Sequence, residues 1–156
     1  MKKTLLFASL MSVLAVTGCS STGGSDASAA STAIVNVSSN GHDKNHEARN
    51  AVDGSLKTRW AQRDEAWIQF DFDGEQTLSH VQVAAFKGDE RKQKFDLEVS
   101  MDGKTWTTAL KETATSGTTK ELERFEFAPV KAKYARINGY GTDVSKSWTG
   151  ITEVQF

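Results

Sequence analysis

Apolar side chains in this chain recur at every second position, and hardly anywhere at helical spacing. Ile68, Phe70 and Phe72 alternate with Gln69, Asp71 and Asp73, and Val81, Val83 and Ala85 repeat the pattern. Phe95, Leu97 and Val99 follow, then Phe125 and Phe127, then Tyr134 to Asn138, and Ile151 to Phe156 closes the chain. Period two puts one face of each segment on a core and the other in water, which is the mark of half-buried strands. Ser100-Met101-Asp102-Gly103-Lys104 joins two such runs, and its Asp-Gly pair suits a hairpin. Only His46 to Val52 reads as helical, and it is short. The spacing predicts an all-β antiparallel sandwich over 34–156. Trp67, Phe70, Phe72, Phe95, Trp106 and Phe127 are expected in its core.

The first thirty-three residues follow different rules. Met1-Lys2-Lys3 is a basic head, and Leu5 to Val16 is an apolar run of about a dozen residues. A bilayer span needs ~20 residues, so the run fits an export signal instead. It ends in Val16-Thr17-Gly18-Cys19, which resembles the lipobox of bacterial lipoproteins. That resemblance implies cleavage after residue 18 and a lipid on Cys19; the plain alternative is a signal peptide with an incidental cysteine. Ser20 in place of an Asp then favours the outer membrane of a Gram-negative envelope. Residues 20–32, SSTGGSDASAAST, are small and polar, as a flexible tether is. The expected domains are a signal peptide (1–18), a lipidated Cys with linker (19–33) and one folded module (34–156).

Charge and cysteine content exclude several functions. With 19 basic and 20 acidic residues the formal charge is −1. Loss of Lys2 and Lys3 with the signal leaves 17 basic residues and a charge of −3. A general nucleic-acid binder needs the opposite balance. One cysteine rules out an intrachain disulfide and a multi-Cys zinc site. His42 and His46 stand four apart without the Glu of a zinc-protease helix. No nucleophile elbow or Gly-rich phosphate loop occurs, so no enzyme is expected.

The densest motif is Asn50-Ala51-Val52-Asp53-Gly54-Ser55-Leu56-Lys57-Thr58-Arg59-Trp60. A carboxylate, a turning Gly and a nearby Thr can wrap oxygens around a hard cation such as calcium. Asp-Gly is also a common turn dipeptide, so both readings stand. Four further blocks follow in order: Trp67-Ile-Gln-Phe-Asp-Phe, Phe95 to Trp106, Lys133-Tyr-Ala-Arg-Ile137 and Ile151 to Phe156. The five together resemble the discoidin-like (coagulation factor V/VIII type C) domain, and within it family 32 carbohydrate-binding modules. The resemblance implies an eight-stranded β-sandwich, or jelly roll, with one structural Ca2+. It implies as ligands the Asp53 and Glu153 carboxylates, the Ser55 carbonyl, the Thr58 carbonyl and hydroxyl, and backbone oxygens near Asn50 and at Thr152.

Between two strands lies Lys87-Gly88-Asp89-Glu90-Arg91-Lys92-Gln93-Lys94. Its plain reading is a solvated mixed-charge loop. In the family the loop stands where sugars bind, and Lys87-Gly88-Asp89-x-Arg91 is similar to modules attached to alginate lyases. A guanidinium fork grips a uronate carboxylate better than an ammonium does. The resemblance implies Arg91, Lys87 and Lys92 as sugar contacts, with Gln62, Arg63, Tyr140 and Trp148 on the same rim; core packing is the alternative for Trp148. Galactose-binding members carry a His after the Trp and an Asn in the Arg loop, where this chain has Ala61-Gln62 and Gln93-Lys94. The expected protein is a non-catalytic carbohydrate-binding lipoprotein holding an acidic, alginate-like polysaccharide at the cell surface. Polysaccharide-degrading enzymes would be further partners, and the lipid anchor its membrane contact. The alternatives are a protein- or membrane-adhesion module of the same fold and a binder of neutral galactose-type glycans.

Overall fold

The computed structural model describes residues 32–156. The segments expected to be an export signal and a linker, with Cys19 between them, lie outside the described residues up to residue 31. Strand β1 (Ile34–Ser39) opens the fold, and a short 3-10 helix (Ala48–Ala51) follows it. Then come β2 (Trp60–Arg63), β3 (Ala66–Ala85), β4 (Gln93–Ser100), β5 (Thr107–Ala114), β6 (Glu123–Thr142) and β7 (Trp148–Gln155). All pairings are antiparallel.

The sandwich arises because β3 and β6 are long and bent. Each has 20 residues. In β3 the register slips between Asp71 and Gln76, around Gly74 with its φ of 77°. A second slip lies opposite Phe127 to Pro129 of β6, and a bulge is where a proline without an N–H is tolerated. The first half of β3 pairs with β1 and the second half of β6, which continues to β4 and β5. The second half of β3 pairs with the first half of β6 and with β7, which carries β2. Segments that read as separate strands in the sequence, 68–72 with 81–85 and 125–127 with 134–138, are thus halves of continuous strands. Seven strands among the described residues therefore build the antiparallel sandwich, where the resemblance implied eight, because β3 and β6 each run on through a bend.

Between the layers, Phe95 meets Phe125 edge-on at 5.2 Å, and Phe70 meets Phe156 at 5.4 Å. Trp60, Ile68, Phe70, Phe95, Leu97 and Ile137 are fully buried. Trp67 and Trp106 are not in this core. Both stand half-buried on the outer face, where the Arg136 guanidinium lies between them, 4.7 Å from one ring and 4.0 Å from the other. Arg136 follows the alternation outward, and the two indoles cover it from water by cation–π contact. Phe127 is only partly buried against the core.

The β4–β5 connection runs through Met101 to Trp106, longer than a two-residue hairpin. Asp102 organises it by accepting the amides of Lys104 (2.8 Å) and Thr105 (2.7 Å), which pulls its carboxyl down to about 2. At the opposite end of β4, Gln93 is buried and ties several segments together. Its Nε2 donates to the Gly141 carbonyl (2.7 Å), its Oε1 accepts from the Gly150 amide (3.0 Å), and its own amide donates to Thr115 Oγ1 (2.9 Å). Gln93→Leu would orphan the Gly141 carbonyl and the Gly150 amide, at about 1–3 kcal/mol for each buried group. Urea unfolding should show a loss of about 2–6 kcal/mol with an unchanged m-value.

Candidate functional site

Two clusters carry chemistry. The first joins the loop after the 3-10 helix to β7. Asp53 Oδ1 accepts the Ser55 amide (2.9 Å) and Oδ2 accepts the Thr58 hydroxyl (2.6 Å), so the turn closes on its own carboxylate. Gly54, at φ 75°, gives the turn its left-handed corner and donates its amide to Glu153 Oε2 at 3.2 Å. Glu153 reaches this loop because β7 is bulged. Ala84 pairs with Glu153 and Ala85 with Ile151, leaving Thr152 as the extra residue, its hydroxyl on the Ala84 carbonyl at 2.9 Å. Bulges re-aim side chains in this way. Asn50 braces the loop from behind, donating to the Asn45 and Arg59 carbonyls at 3.0 Å each.

Glu153 is a carboxylate at 5% exposure, and among the described residues no Lys, Arg or His lies within ion-pair distance of it. Burial pushes its carboxyl up, and the nearby Asp53 charge adds to this. The Gly54 amide and Gln155 oppose the shift. No group of three or more His, Cys, Asp or Glu gathers among the described residues. Two carboxylates plus carbonyl and hydroxyl oxygens make an all-oxygen set, of the kind that suits a hard cation.

The second cluster is a cleft of about 260 Å³ where β2, β7 and the loop between β3 and β4 meet. Arg59, Phe86, Arg91 and Trp148 line it, with Asp43 at one side and Ala61 and Gly150 in the wall. Both guanidiniums lie against one ring, Arg59 at 3.8 Å and Arg91 at 5.3 Å from the Phe86 centroid. Neither has a carboxylate within ion-pair distance among the described residues. Burial and the positive Arg91 both pull the Arg59 guanidinium down, and Asp43 offsets this in part. Two like charges held together and unpaired form a local site for an anion.

The loop carrying Arg91 is tightly braced. Its first turn closes through amides of Gly88, Glu90 and Arg91 (2.9–3.1 Å), and Thr119 donates to the Gly88 carbonyl at 3.2 Å. A Cβ on Gly88 would stand 2.4 Å from the Thr119 carbonyl oxygen, so only glycine lets the two loops meet. Lys120 pairs with Asp89 at 3.1 Å.

Of the residues expected on the sugar rim, the structure brings Arg91 and Trp148 together in the cleft. Trp148 is 38% exposed and outside the core. Arg63 pairs with Trp148 across the β2–β7 ladder, 6.0 Å from its ring. Gln62 is half-buried beside Gly41. Lys87 turns to Glu90 at 3.0 Å, while the Lys92 amide donates to Asp143 Oδ1 at 2.9 Å and its carbonyl accepts the Asp143 amide at 3.2 Å, and neither lines the cleft. Tyr140 lies apart, on the outer face of β6 with its hydroxyl on Asp96 Oδ2 at 3.1 Å. Arg59, Phe86 and Asp43 are the cleft residues that sequence reasoning did not single out. Arg59 stood inside the Asp53 motif and was absorbed by it.

The profile of the F5/8 type C domain matches residues 27–154. The chain belongs to the F5/8 type C domain family. A pectin-binding carbohydrate-binding module is similar at 40% identity and a TM-score of 0.76, over 79% of this chain and 89% of that one. The family 32 module of AlyQ, solved with 4,5-unsaturated mannuronic acid, is similar at 33% identity and 0.75, over 80% of this chain and 95% of that one. A chitosan-binding module from a Paenibacillus sp. IK-5 chitosanase/glucanase matches at 25% identity and 0.60, over 77% and 91%. No curated protein sequence matches significantly. This F5/8 type C domain is a carbohydrate-binding module of the family 32 type, and the relatives solved as single domains are non-catalytic binding modules.

The Glu153 arrangement has a measurable consequence. A carboxyl raised in the fold holds its proton where the unfolded chain has lost it, so it favours folding at low pH. That contribution fades as pH rises through its raised titration. In chelator, the thermal midpoint should fall as pH rises from the ordinary carboxylate range towards neutrality, through this group. Glu153→Gln, which keeps an oxygen for the Gly54 amide, should flatten that part of the curve.

Proposed function

We propose that this module is the binding part of a cell-envelope lipoprotein that holds an acidic, uronate-containing polysaccharide of the alginate or pectin kind. The carrying observation is the pair Arg59 and Arg91, without a carboxylate in ion-pair distance among the described residues, side by side over Phe86 in a cleft edged by Trp148. A uronate offers a carboxylate for the guanidiniums and a pyranose ring face for the indole. The relatives that bind pectin and an unsaturated mannuronic acid support this class of ligand. A cationic chain such as chitosan suits the guanidinium pair poorly, although one relative binds it. The lipobox-like segment at Cys19 would place the module on the outer membrane. Many copies on one surface would compensate for weak single contacts.

In titration calorimetry, oligouronates should bind and neutral galactans should not. Arg91→Ala or Arg59→Ala should each weaken uronate binding by about 10- to 100-fold, the worth of a charge-assisted contact. Unchanged affinity in both variants would refute the site. A second reading has one observation behind it: Val144, on the loop before Trp148, is 69% exposed, an apolar tip on an otherwise polar rim. Flotation of the unlipidated protein with liposomes separates adhesion to membranes from sugar binding.

We further infer that Asp53, Ser55, Thr58 and Glu153, with backbone oxygens near Asn50 and at Thr152, hold a structural calcium ion. The support is the all-oxygen donor set and the buried Glu153, which has no cationic partner among the described residues. Bound there, the ion would pin the first loop to the last strand and neutralise both carboxylates. Calcium should raise the thermal midpoint in a concentration-dependent way. The rise should be largest near neutral pH and small in acid, where Glu153 keeps its proton, and Asp53→Ala should abolish it.

A further inference from the structure

The cleft does not end at Trp148. Past it, the β2–β3 turn and the loop before β7 are joined by the Asp64 amide donating to the Ser147 carbonyl at 2.7 Å. Beyond this join lies a second hollow, of about 380 Å³, lined by Asp64, Glu65, Trp67, Asn138, Tyr140 and Lys146 among others. The two hollows border the same short segments. Ala61 and Trp148 line the first, and Asp64 and Lys146 the second. Ala61 and Asp64 stand three positions apart, with Gln62 and Arg63 of β2 between them, about 10 Å along extended chain. The ridge between them is the cross-strand pair Arg63 and Trp148.

The far hollow is built from rings that are already fixed. Tyr140 is 53% exposed, the most exposed aromatic side chain among the described residues, yet its hydroxyl is bound to Asp96. Asp96 in turn accepts the Glu112 amide at 2.6 Å, where Glu112 holds a left-handed φ of 52° that costs a non-glycine residue energy. Trp67 is held by Arg136, itself stacked on Trp106. Aromatic surfaces immobilised in advance lose little entropy when a ligand settles on them. Around the rings, Arg63, Lys146 and Arg136 face Asp64, Glu65, Asp96 and Glu98, and Asn138, whose Nδ2 donates to Glu98 at 2.9 Å, keeps its carbonyl oxygen for a sugar hydroxyl. Ring faces among charges that lean negative suit the body of a pyranose rather than its carboxylate.

We propose that Trp67 and Tyr140 form a second sugar subsite, reached over the Arg63–Trp148 ridge by the same chain whose carboxylate sits at Arg59 and Arg91. This rests on the uronate reading of the cleft. It makes the module a reader of chain interiors, with one subsite for charge and one for ring faces. Tyr140, expected on the sugar rim and found outside the cleft, thereby has a place on an extended surface.

Oligouronates of increasing length, titrated calorimetrically into the parent, Tyr140→Ala and Tyr140→Phe, test it. The parent should gain about 3- to 10-fold in affinity from disaccharide to hexasaccharide, the worth of one stacked ring. Tyr140→Ala should bind the disaccharide like the parent and lose the gain, and Tyr140→Phe should keep most of it. In the parent, the Trp67 indole proton should shift in NMR spectra with the hexasaccharide and stay still with the disaccharide. Length-independent affinity in the parent, full gain in Tyr140→Ala, or a silent Trp67 would each overturn the subsite and leave the Arg59–Arg91 cleft standing. Failure of the parent to bind any oligouronate would remove both.

Discussion

A single buried amide holds the cleft end of this sandwich in register. Gln93 stands where β4 begins and bonds at once to β6 at Gly141, to β7 at Gly150 and to the segment after β5 at Thr115. Gly150 forms the cleft wall and accepts the Phe86 amide, so the ring under the two arginines is positioned through it. The arrangement needs strands closer than side chains allow. A Cβ on Gly139 would stand 2.3 Å from Thr149 Cγ2, and one on Gly141, at φ 73°, would stand 2.5 Å from the Lys146 carbonyl. Glycine at both places lets the rim loop fold back against β6.

The segment 53–60 links the molecule's chemistry to its core. Thr58 closes the Asp53 turn, Arg59 lies on Phe86, and Trp60 is wholly buried with its Nε1 on the Gly41 carbonyl at 2.9 Å. Three neighbours thus face an oxygen cluster, a cationic cleft and the hydrophobic interior. The cleft's guanidinium is held on both sides by residues with structural duties, which keeps two like charges adjacent despite their repulsion. Preorganisation of this sort moves the electrostatic cost of a binding site from the binding step to folding.

Much of the fold was legible because strand periodicity is a local property. The alternation at Ile68 to Phe72 or Phe95 to Val99 states which face is buried, and both runs are buried as expected. The alternation does not report where a strand bends without ending, so β3 and β6 each read as two strands. It also assigned Trp67 and Trp106 to the core on size alone. Parity puts Trp67 outward, opposite Ile68, and an arginine between the indoles satisfies both. Within the cleft, Arg91 was legible from its basic loop, whereas Arg59 had no signal of its own.

By itself the sequence determined an antiparallel all-β module, the residues of its inner faces, and two motifs rich in oxygen and positive charge. Those follow from spacing along the chain and from side-chain chemistry, which need no knowledge of distant partners. Only the tertiary structure decided which charges stay free. Lys87 is taken by Glu90 three residues on, Arg91 is left open, and Arg59 joins it from 32 positions away because β2 and the loop after β3 meet at one end of the sandwich. A charge becomes a binding group through what does not neutralise it. That depends on contacts between residues far apart in the chain.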